Sequence, residues 1–408
     1  MSQARHHDIV IIGGGTAGTT VAASLLRQRP QLNIAVIEPT DTHYYQPAFT
    51  LVGGGTYNLE DTARPQAKTL PANATWIHQA VTQLHPQEQR VSLDNGTDVH
   101  YKALVVAPGM ELNWEAIEGL PEALGRGGVC SNYEPALARY TWQCIDELKA
   151  GRALFTQPST PIKCAGAPQK IAYLAAHQWQ KRQSNQIQSQ FLTGMGAMFS
   201  VPDFVPHLQN VAADYGIGVN LKHDLIRVDG ERHIATFKVT QADGETKEVE
   251  ESYDLLHVTP PQRAPSFVRE STLANEGGWL KVDDHSLQNP DYPEIFSLGD
   301  ASSLPTSKTA AAVRKQAPVL VKNLLAQLDG KPLTAKYDGY TSCPLVTGYG
   351  EVILAEFIYG GTVTPTLPLN PFKRSRFYWW VKKYALPAFY WRYMLKGKEG
   401  DIAHKARG

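Results

Sequence analysis

Apolar residues along this chain fall into two kinds of run. Continuous apolar stretches of strand length occur at His7-Asp-Ile-Val-Ile-Ile12, Asn33-Ile-Ala-Val-Ile-Glu38, Ala103-Leu-Val-Val-Ala-Pro-Gly109, Arg152-Ala-Leu-Phe-Thr156 and Glu294-Ile-Phe-Ser-Leu-Gly299, and they predict buried strands. Between them the period lengthens. A helix is expected from the glycine turn after Ile12 to about Arg29, and others over Tyr140 to Leu148, Ile171 to His177 and from Ser307 onward. Trp76 to Leu84 reads as one short strand followed by a hairpin-like Arg90 to Val99. This interleaving of strands and helices predicts the α/β class.

Near the C-terminus the pattern changes again. Ten aromatic residues lie between Phe372 and Tyr393. At helical spacing Phe377, Trp380, Val381 and Tyr384 share one face, with Arg376, Lys382 and Lys383 elsewhere; after Pro387, Tyr390, Trp391, Met394 and Leu395 oppose Arg392 and Lys396. Aromatic amphipathic helices with cationic flanks suit a bilayer interface. The bland alternative is a pair of helices capping the core.

Composition sharpens this asymmetry. The 408 residues are 42% hydrophobic and 19% charged, which fits two or three globular domains with ample core. Net charge is zero, yet from Phe372 to Gly408 ten Lys or Arg stand against two Asp or Glu, and 29 against 37 before it. That imbalance predicts a surface partner at one end. The four Cys (130, 144, 164 and 343) are too few for a disulfide scaffold, and no ligand-like His spacing points to a metal. No apolar segment precedes the first strand, so neither a secretory signal nor a transit peptide is expected; no run of 18 uncharged apolar residues predicts a spanning helix.

Two turns carry the chemistry. In the first, Gly13-Gly-Gly15-Thr-Ala-Gly18 follows a strand and opens a helix, and the next strand ends in Glu38, 20 residues after Gly18. Strand, G-x-G-x-x-G, helix, strand and acid stand where a dinucleotide needs them, the glycines letting backbone approach the pyrophosphate and the carboxylate reaching a ribose hydroxyl. In the second, Ser159-Thr-Pro-Ile-Lys-Cys164-Ala-Gly-Ala-Pro-Gln-Lys170 joins the Arg152 strand to the Ile171 helix, with Pro168 near the first helical position. A helix N-terminus and the flanking Lys163 and Lys170 would favour thiolate over thiol at Cys164. This turn has only Gly166, and the following strand, Gln190-Phe-Leu-Thr-Gly-Met-Gly-Ala197, ends without an acid, so a nicotinamide dinucleotide is not the expected reductant. A second thiol, Cys343, lies in Tyr340-Thr-Ser-Cys343-Pro-Leu-Val-Thr-Gly-Tyr349.

The glycine turn, the strand ending at Gly109 and the late Gly299-Asp300 together resemble the flavoproteins with two dinucleotide-binding domains, in which the late Gly-Asp contacts FAD. A helix N-cap is the alternative role for Asp300. Lys163-Cys164-Ala-Gly-Ala-Pro-Gln-Lys170, Leu255-Leu-His-Val-Thr-Pro-Pro261, Leu304-Pro-Thr-Ser-Lys-Thr-Ala-Ala-Ala312 and Tyr337-Asp-Gly-Tyr-Thr-Ser-Cys343-Pro-Leu-Val-Thr-Gly-Tyr349 are similar to the sulfide:quinone oxidoreductase family, in its mitochondrial branch, from about Asp8 to beyond Phe357. The resemblance implies two Rossmann-like domains, an FAD-binding domain formed by 1–115 and 276–335 and a second by 116–275, with 336–408 as a C-terminal segment that associates with membrane. It implies FAD contacts from Gly13, Gly15, Thr16, Ala17, Gly18, Glu38, Gln46, Val81 (through its backbone), Asp300, Lys308, Thr309, Ala310 and Ala311.

It also implies the reaction. In the family, sulfide attacks a Cys–Cys bridge; Cys343 would carry the resulting persulfide, Cys164 would pass two electrons to FAD, a small thiol or sulfite would take the sulfur, and a quinone would take the electrons. Cys144 reads as helix packing, and Cys130 sits near a third thiol that some members use. The expected location is peripheral, monotopic, on a membrane such as the bacterial plasma membrane, with no nucleic-acid partner. Two alternatives stay open on sequence alone, a type-II NADH:quinone oxidoreductase and a flavin-containing thiol redox sensor. Because every FAD and sulfur motif precedes about Asn370, truncation there is expected to leave FAD bound.

Overall fold

The computed structural model describes residues 5–398. The apolar runs pair into two separate sheets. In the first, Thr75–Ile77, Ile34–Ile37, Arg5–Ile12 and Asp98–Val106 lie side by side in parallel, Ile295–Ser297 adds in parallel to Asp98–Val106, and Arg90–Leu93 and Val81–His85 continue antiparallel. Ile9 to Ile12, Ile34 to Ile37 and Ala103 to Val106 are buried without alternation because helices cover the parallel region. The expected single strand from Trp76 to Leu84 is two. Gln79 N donates to Ile77 O in a turn, after which Val81 pairs antiparallel with Leu93.

The second sheet is parallel throughout, in the order Val129–Cys130, Leu255–His257, Gly151–Gln157, Ile187–Thr193, Gly218–Leu221. One face packs through Leu154 and Leu192 onto Leu225 and Phe237 of an antiparallel sheet spanning residues 223–252. The other face holds the helix Ala167–Lys181 and, beyond it, the hairpin Thr341–Gly348/Glu351–Phe357.

The tail departs most from its periodicity. It runs as Arg376–Trp380, a π-helical turn Val381–Ala385, Leu386–Arg392 and a short turn Met394–Lys396. Pro387 offers no N–H to Lys383 O, and the helix widens there. The widened turn shifts the faces. Phe377 (49% exposed), Trp380 (54%) and Tyr384 (54%) stay at the surface, but Tyr390 is 2% exposed and Met394 and Leu395 join the core of the first sheet. The second half of the tail is therefore a cap on the core rather than a free amphipathic face. Lys382, expected on the cationic flank, is buried, and its Nζ donates to Pro47 O at 2.7 Å. Among the described residues no helix is long and apolar enough to cross a membrane.

Candidate active site

The strand Gly151–Gln157 delivers the chain to the Cys164 turn, and the helix beyond it begins at Ala167 with Pro168 in its first turn, as the sequence predicts. Cys164 takes φ = 55°, a left-handed conformation that costs a non-glycine residue about 1–2 kcal/mol. Backbone bonds hold it there. Cys164 N donates to Lys308 O (2.8 Å) and Ala167 N donates to Cys164 O (2.7 Å), so this turn is joined to the segment that precedes the helix Ala310–Leu328.

Across from it, Cys343 projects from the hairpin, and the two thiol sulfurs are 3.5 Å apart. Gly166 makes room for this approach: a Cβ there would stand 2.9 Å from Cys343 Sγ and 2.2 Å from Leu345 Cδ2. Lys170, in the first turn of the helix, donates from Nζ to Cys164 Sγ at 2.9 Å. The hydrogen bond from Cys343 and then the Lys170 charge hold the Cys164 thiol well below its usual range, while the same bond and burial push Cys343 up. The pair is polarised, thiolate at Cys164 and thiol at Cys343.

Lys163 plays a different part from the one expected of it. Its Nζ bonds Gln46 Oε1 at 2.8 Å and lies 6.0 Å from the Tyr133 ring centre. The second cation facing the sulfurs is Lys382 from the tail, which burial lowers to about 8 and the two thiols pull back up. No spacing in the sequence links Lys382 to Cys164; the π turn puts it there.

Cys164 and Lys170 open onto a cavity of about 920 Å³. Gly15, Thr16, Ala17, Glu38, Gln46, Asp300, Lys308, Thr309, Ala310 and Ala311 line it, together with the N-terminal residues of three helices, Thr16–Gln28, Ala167–Lys181 and Ala310–Leu328. Such helix ends favour anionic groups. A Cβ on Gly15 or Gly109 would meet no protein atom within 4 Å because both face the cavity. Gly13 and Gly18 stand behind the wall, and their missing side chains serve packing: a Cβ at Gly13 would lie 2.2 Å from Ala107 O, and one at Gly18 1.8 Å from Gly13 O. Val81 is buried in the sheet core and does not line the cavity. Glu38 accepts from Gly14 N (2.8 Å) and from Thr40. Asp300 is not the N-cap of the late helix; Thr309 is, accepting from Ala312 N at 3.0 Å.

Comparison with known proteins identifies the family. Residues 7–138 match the family model of the pyridine nucleotide-disulphide oxidoreductases. The chain is 39% identical over 98% of its length to the mitochondrial sulfide:quinone oxidoreductase of Mus musculus, covering 88% of it, and 41% identical over 96% of its length to that of Dictyostelium discoideum, covering 86%. The chain belongs to the sulfide:quinone oxidoreductase family. The X-ray structure of the sulfide:quinone oxidoreductase from Aquifex aeolicus superposes with a TM-score of 0.78 at 20% identity, over 98% of this chain and 93% of that one, which shows a common fold.

Beyond the residues that the family motifs mark, the tail supplies part of the cavity wall through Phe377, Tyr378, Val381, Lys382, Phe389 and Tyr390. Tyr390 also reaches the glycine turn, bonding Thr16 Oγ1 at 2.8 Å and His43 Nε2 at 2.6 Å, while His43 Nδ1 bonds Gly14 O. With Nδ1 donating to that carbonyl, Nε2 accepts from Tyr390, and burial keeps the ring neutral by lowering its pKa. The sequence placed Tyr390 on an amphipathic face of the tail and had no signal for its reach to the glycine turn. Cys130 is buried beside Cys144, away from the cavity, and burial pushes its thiol up.

Proposed function

We propose that this protein is an FAD-dependent sulfide:quinone oxidoreductase in which Cys164 and Cys343 form the sulfide-oxidising pair. The observation that carries the reading is the polarised thiol pair, 3.5 Å apart with Lys170 on Cys164, opening on a cavity edged by the glycine turn. FAD suits that cavity: its open glycine floor accepts a pyrophosphate, Glu38 lies where ribose hydroxyls would fall, and three helix N-termini favour its anionic part. When bound, FAD supplies the two-electron centre that lies between sulfur and quinone.

In the oxidised state the two thiols form a bridge. Hydrosulfide attacks the Cys343 sulfur; the new S–S bond makes a persulfide as the old one breaks, and its electron pair leaves with Cys164 as thiolate. Lys170 and Lys382 stabilise that leaving group, and a low-pKa thiol leaves faster. The persulfide then passes its outer sulfur to a small thiol or sulfite, restoring the Cys343 thiol. Around this chemistry the domain boundaries fall near residues 115, 275 and 335.

Exposed Phe377, Trp380 and Tyr384, with Leu367 and Leu369 beside them in the chain, form an apolar surface, and Phe377 and Leu367 also line the cavity. Such a patch suits peripheral contact with a bilayer, from which a lipophilic quinone would enter directly. Anaerobic addition of sulfide to the purified protein tests the whole reading. Sulfide should bleach the flavin, a short-chain quinone should restore it, and NADH should leave it unchanged. Bleaching by NADH but not sulfide would replace this reading by the NADH:quinone one.

A further inference from the structure

The hairpin that carries Cys343 has a second working face. Side chains alternate along a strand, so the cross-strand pair Cys343 and Ala355 faces the core, while the neighbouring pairs Ser342 and Glu356, and Pro344 and Leu354, face the cavity. Glu356 is the acid of that second face. It is 3% exposed, and its carboxylate accepts from the Tyr340 hydroxyl (2.5 Å), Thr366 N (2.9 Å) and the Thr366 hydroxyl (2.5 Å). A carboxylate offers roughly four acceptor positions, so about one remains, and Glu356 forms part of the cavity wall. Its neighbours on that wall include Pro344, Leu354, Leu367 and Phe377, and the last two are also exposed, so this lobe reaches the surface. Tyr340 stays protonated and keeps a proton to donate to Glu356, because burial and the Glu356 charge push it up to about 12. Arg314 and Lys315 lie 5.7 and 5.5 Å from the Tyr340 ring centre, and Tyr378 also feels the Glu356 charge.

We propose that Glu356 is a catalytic residue of the quinone half-reaction, delivering a proton to the quinone oxygen that enters this lobe, with Tyr340 and Thr366 holding its carboxylate in place. The proposal rests on the sulfide:quinone oxidoreductase reading. Oxidation of H2S to sulfane sulfur gives up two electrons and two protons, and a quinone takes two of each to become a quinol. The electrons pass through the redox centre, but the protons are released on the cysteine face of the hairpin and needed on the other. The acceptor face therefore requires its own proton carrier. A proton taken up from water at the Leu367 mouth first joins the free position of the Glu356 carboxylate; as the quinone oxygen gains its O–H bond that Glu356 O–H bond breaks and the carboxylate is restored, and a second uptake by the same route supplies the proton for the second quinone oxygen.

Glu356→Gln in the FAD-loaded protein tests this by anaerobic stopped flow. Sulfide bleaching, reoxidation by ferricyanide (which takes electrons without protons) and the Kd of a short-chain quinone should stay within about twofold of wild type, while reoxidation by that quinone falls about 10²-fold or more. Glu356→Asp should recover part of the loss. Should the Gln variant fail to hold FAD, Tyr340→Phe serves: with one donor gone, the quinone step should move its pH dependence upward while sulfide bleaching is unchanged. A quinone step as fast as wild type, or one that slows equally with ferricyanide, overturns the proposal, as does an unmoved pH profile in Tyr340→Phe. If sulfide fails to bleach the wild-type flavin, the functional reading itself falls and takes the proposal with it.

Discussion

The two strand-to-helix turns of this protein begin from the same local plan and end in different chemistry. In the first, Gly13 (φ = 96°) and Gly18 sacrifice side chains so that the backbone packs tightly, leaving Gly15 and the amides of the helix Thr16–Gln28 facing the cavity. In the second, the left-handed position belongs to Cys164, and the glycine that remains, Gly166, makes room for another sulfur instead of a phosphate. The first turn presents bare backbone to an anionic ligand. The second presents its own anion, the Cys164 thiolate, with Lys170 supplying the countercharge. On the proposed function, one scaffold thus serves either a bound dinucleotide or a covalent relay, according to which side chain occupies the turn.

Removing the sulfurs should break the comparison most completely. Cys164→Ser or Cys343→Ser should slow sulfide bleaching by about 10³-fold or more while FAD content stays at wild type, since the glycine turn, Glu38 and the helix ends that would hold FAD are untouched. Cys144→Ser, in a helix away from the cavity, should change the rate by less than about twofold. Substantial turnover in either active-site variant would end the two-thiol mechanism.

Truncation after Asn370 comes next and corrects the expectation drawn from the order of motifs. The tail contributes Lys382, Phe389 and Tyr390 to the cavity and buries Met394 and Leu395 in the first core, so the shortened chain should lose FAD as well as membrane affinity. Flavin absorbance after gel filtration checks this; retained stoichiometric FAD would show the first turn to be self-sufficient.

The glycines sharpen the contrast further. Gly13→Ala should strip FAD, because its Cβ meets Ala107 O at 2.2 Å in a left-handed conformation. Gly166→Ala should keep FAD yet lower the sulfide rate about 10- to 100-fold, since its Cβ pushes Leu345 and Cys343 away from Cys164. Equal FAD loss in both variants would argue against separate roles for the two turns.

Lys170→Met should have the smallest effect and a distinctive one. Lys170 lowers the Cys164 thiol pKa, so its loss raises that pKa; the thiolate fraction at neutral pH then falls, and the sulfide rate should recover as pH rises. Thiolate absorbance against pH reads this change directly, and an unmoved titration would assign the polarisation to Cys343 and Lys382 alone.

The parts of this design that depend on near neighbours along the chain were legible in the sequence. Strand, glycine turn and helix around Gly13 to Gly18 are local, and so is the Cys164 turn, whose helix starts beside Pro168 as expected. The motifs around Cys343 and Asp300 could be placed near FAD by resemblance, although their spacing carries no distance. The Trp76 to Leu84 segment misled because one short stretch serves two strands at opposite edges of the same sheet, and a one-dimensional pattern does not record which neighbour a strand pairs with.

What the sequence determined by itself is thus the set of elements and the two turns, because hydrophobic period, glycine spacing and helix-start residues act over a few residues. The tertiary structure decided which charges and which faces meet. Lys382, carried on the widened turn before Pro387, brings its charge within range of the sulfurs, and Tyr390 braces Thr16 across 374 residues. Glu356 faces the cavity because its strand pairs in a register that sets Ser342, not Cys343, opposite it. Each of these depends on long-range packing, where the free energy comes from burying surface between distant segments, and no local propensity encodes it.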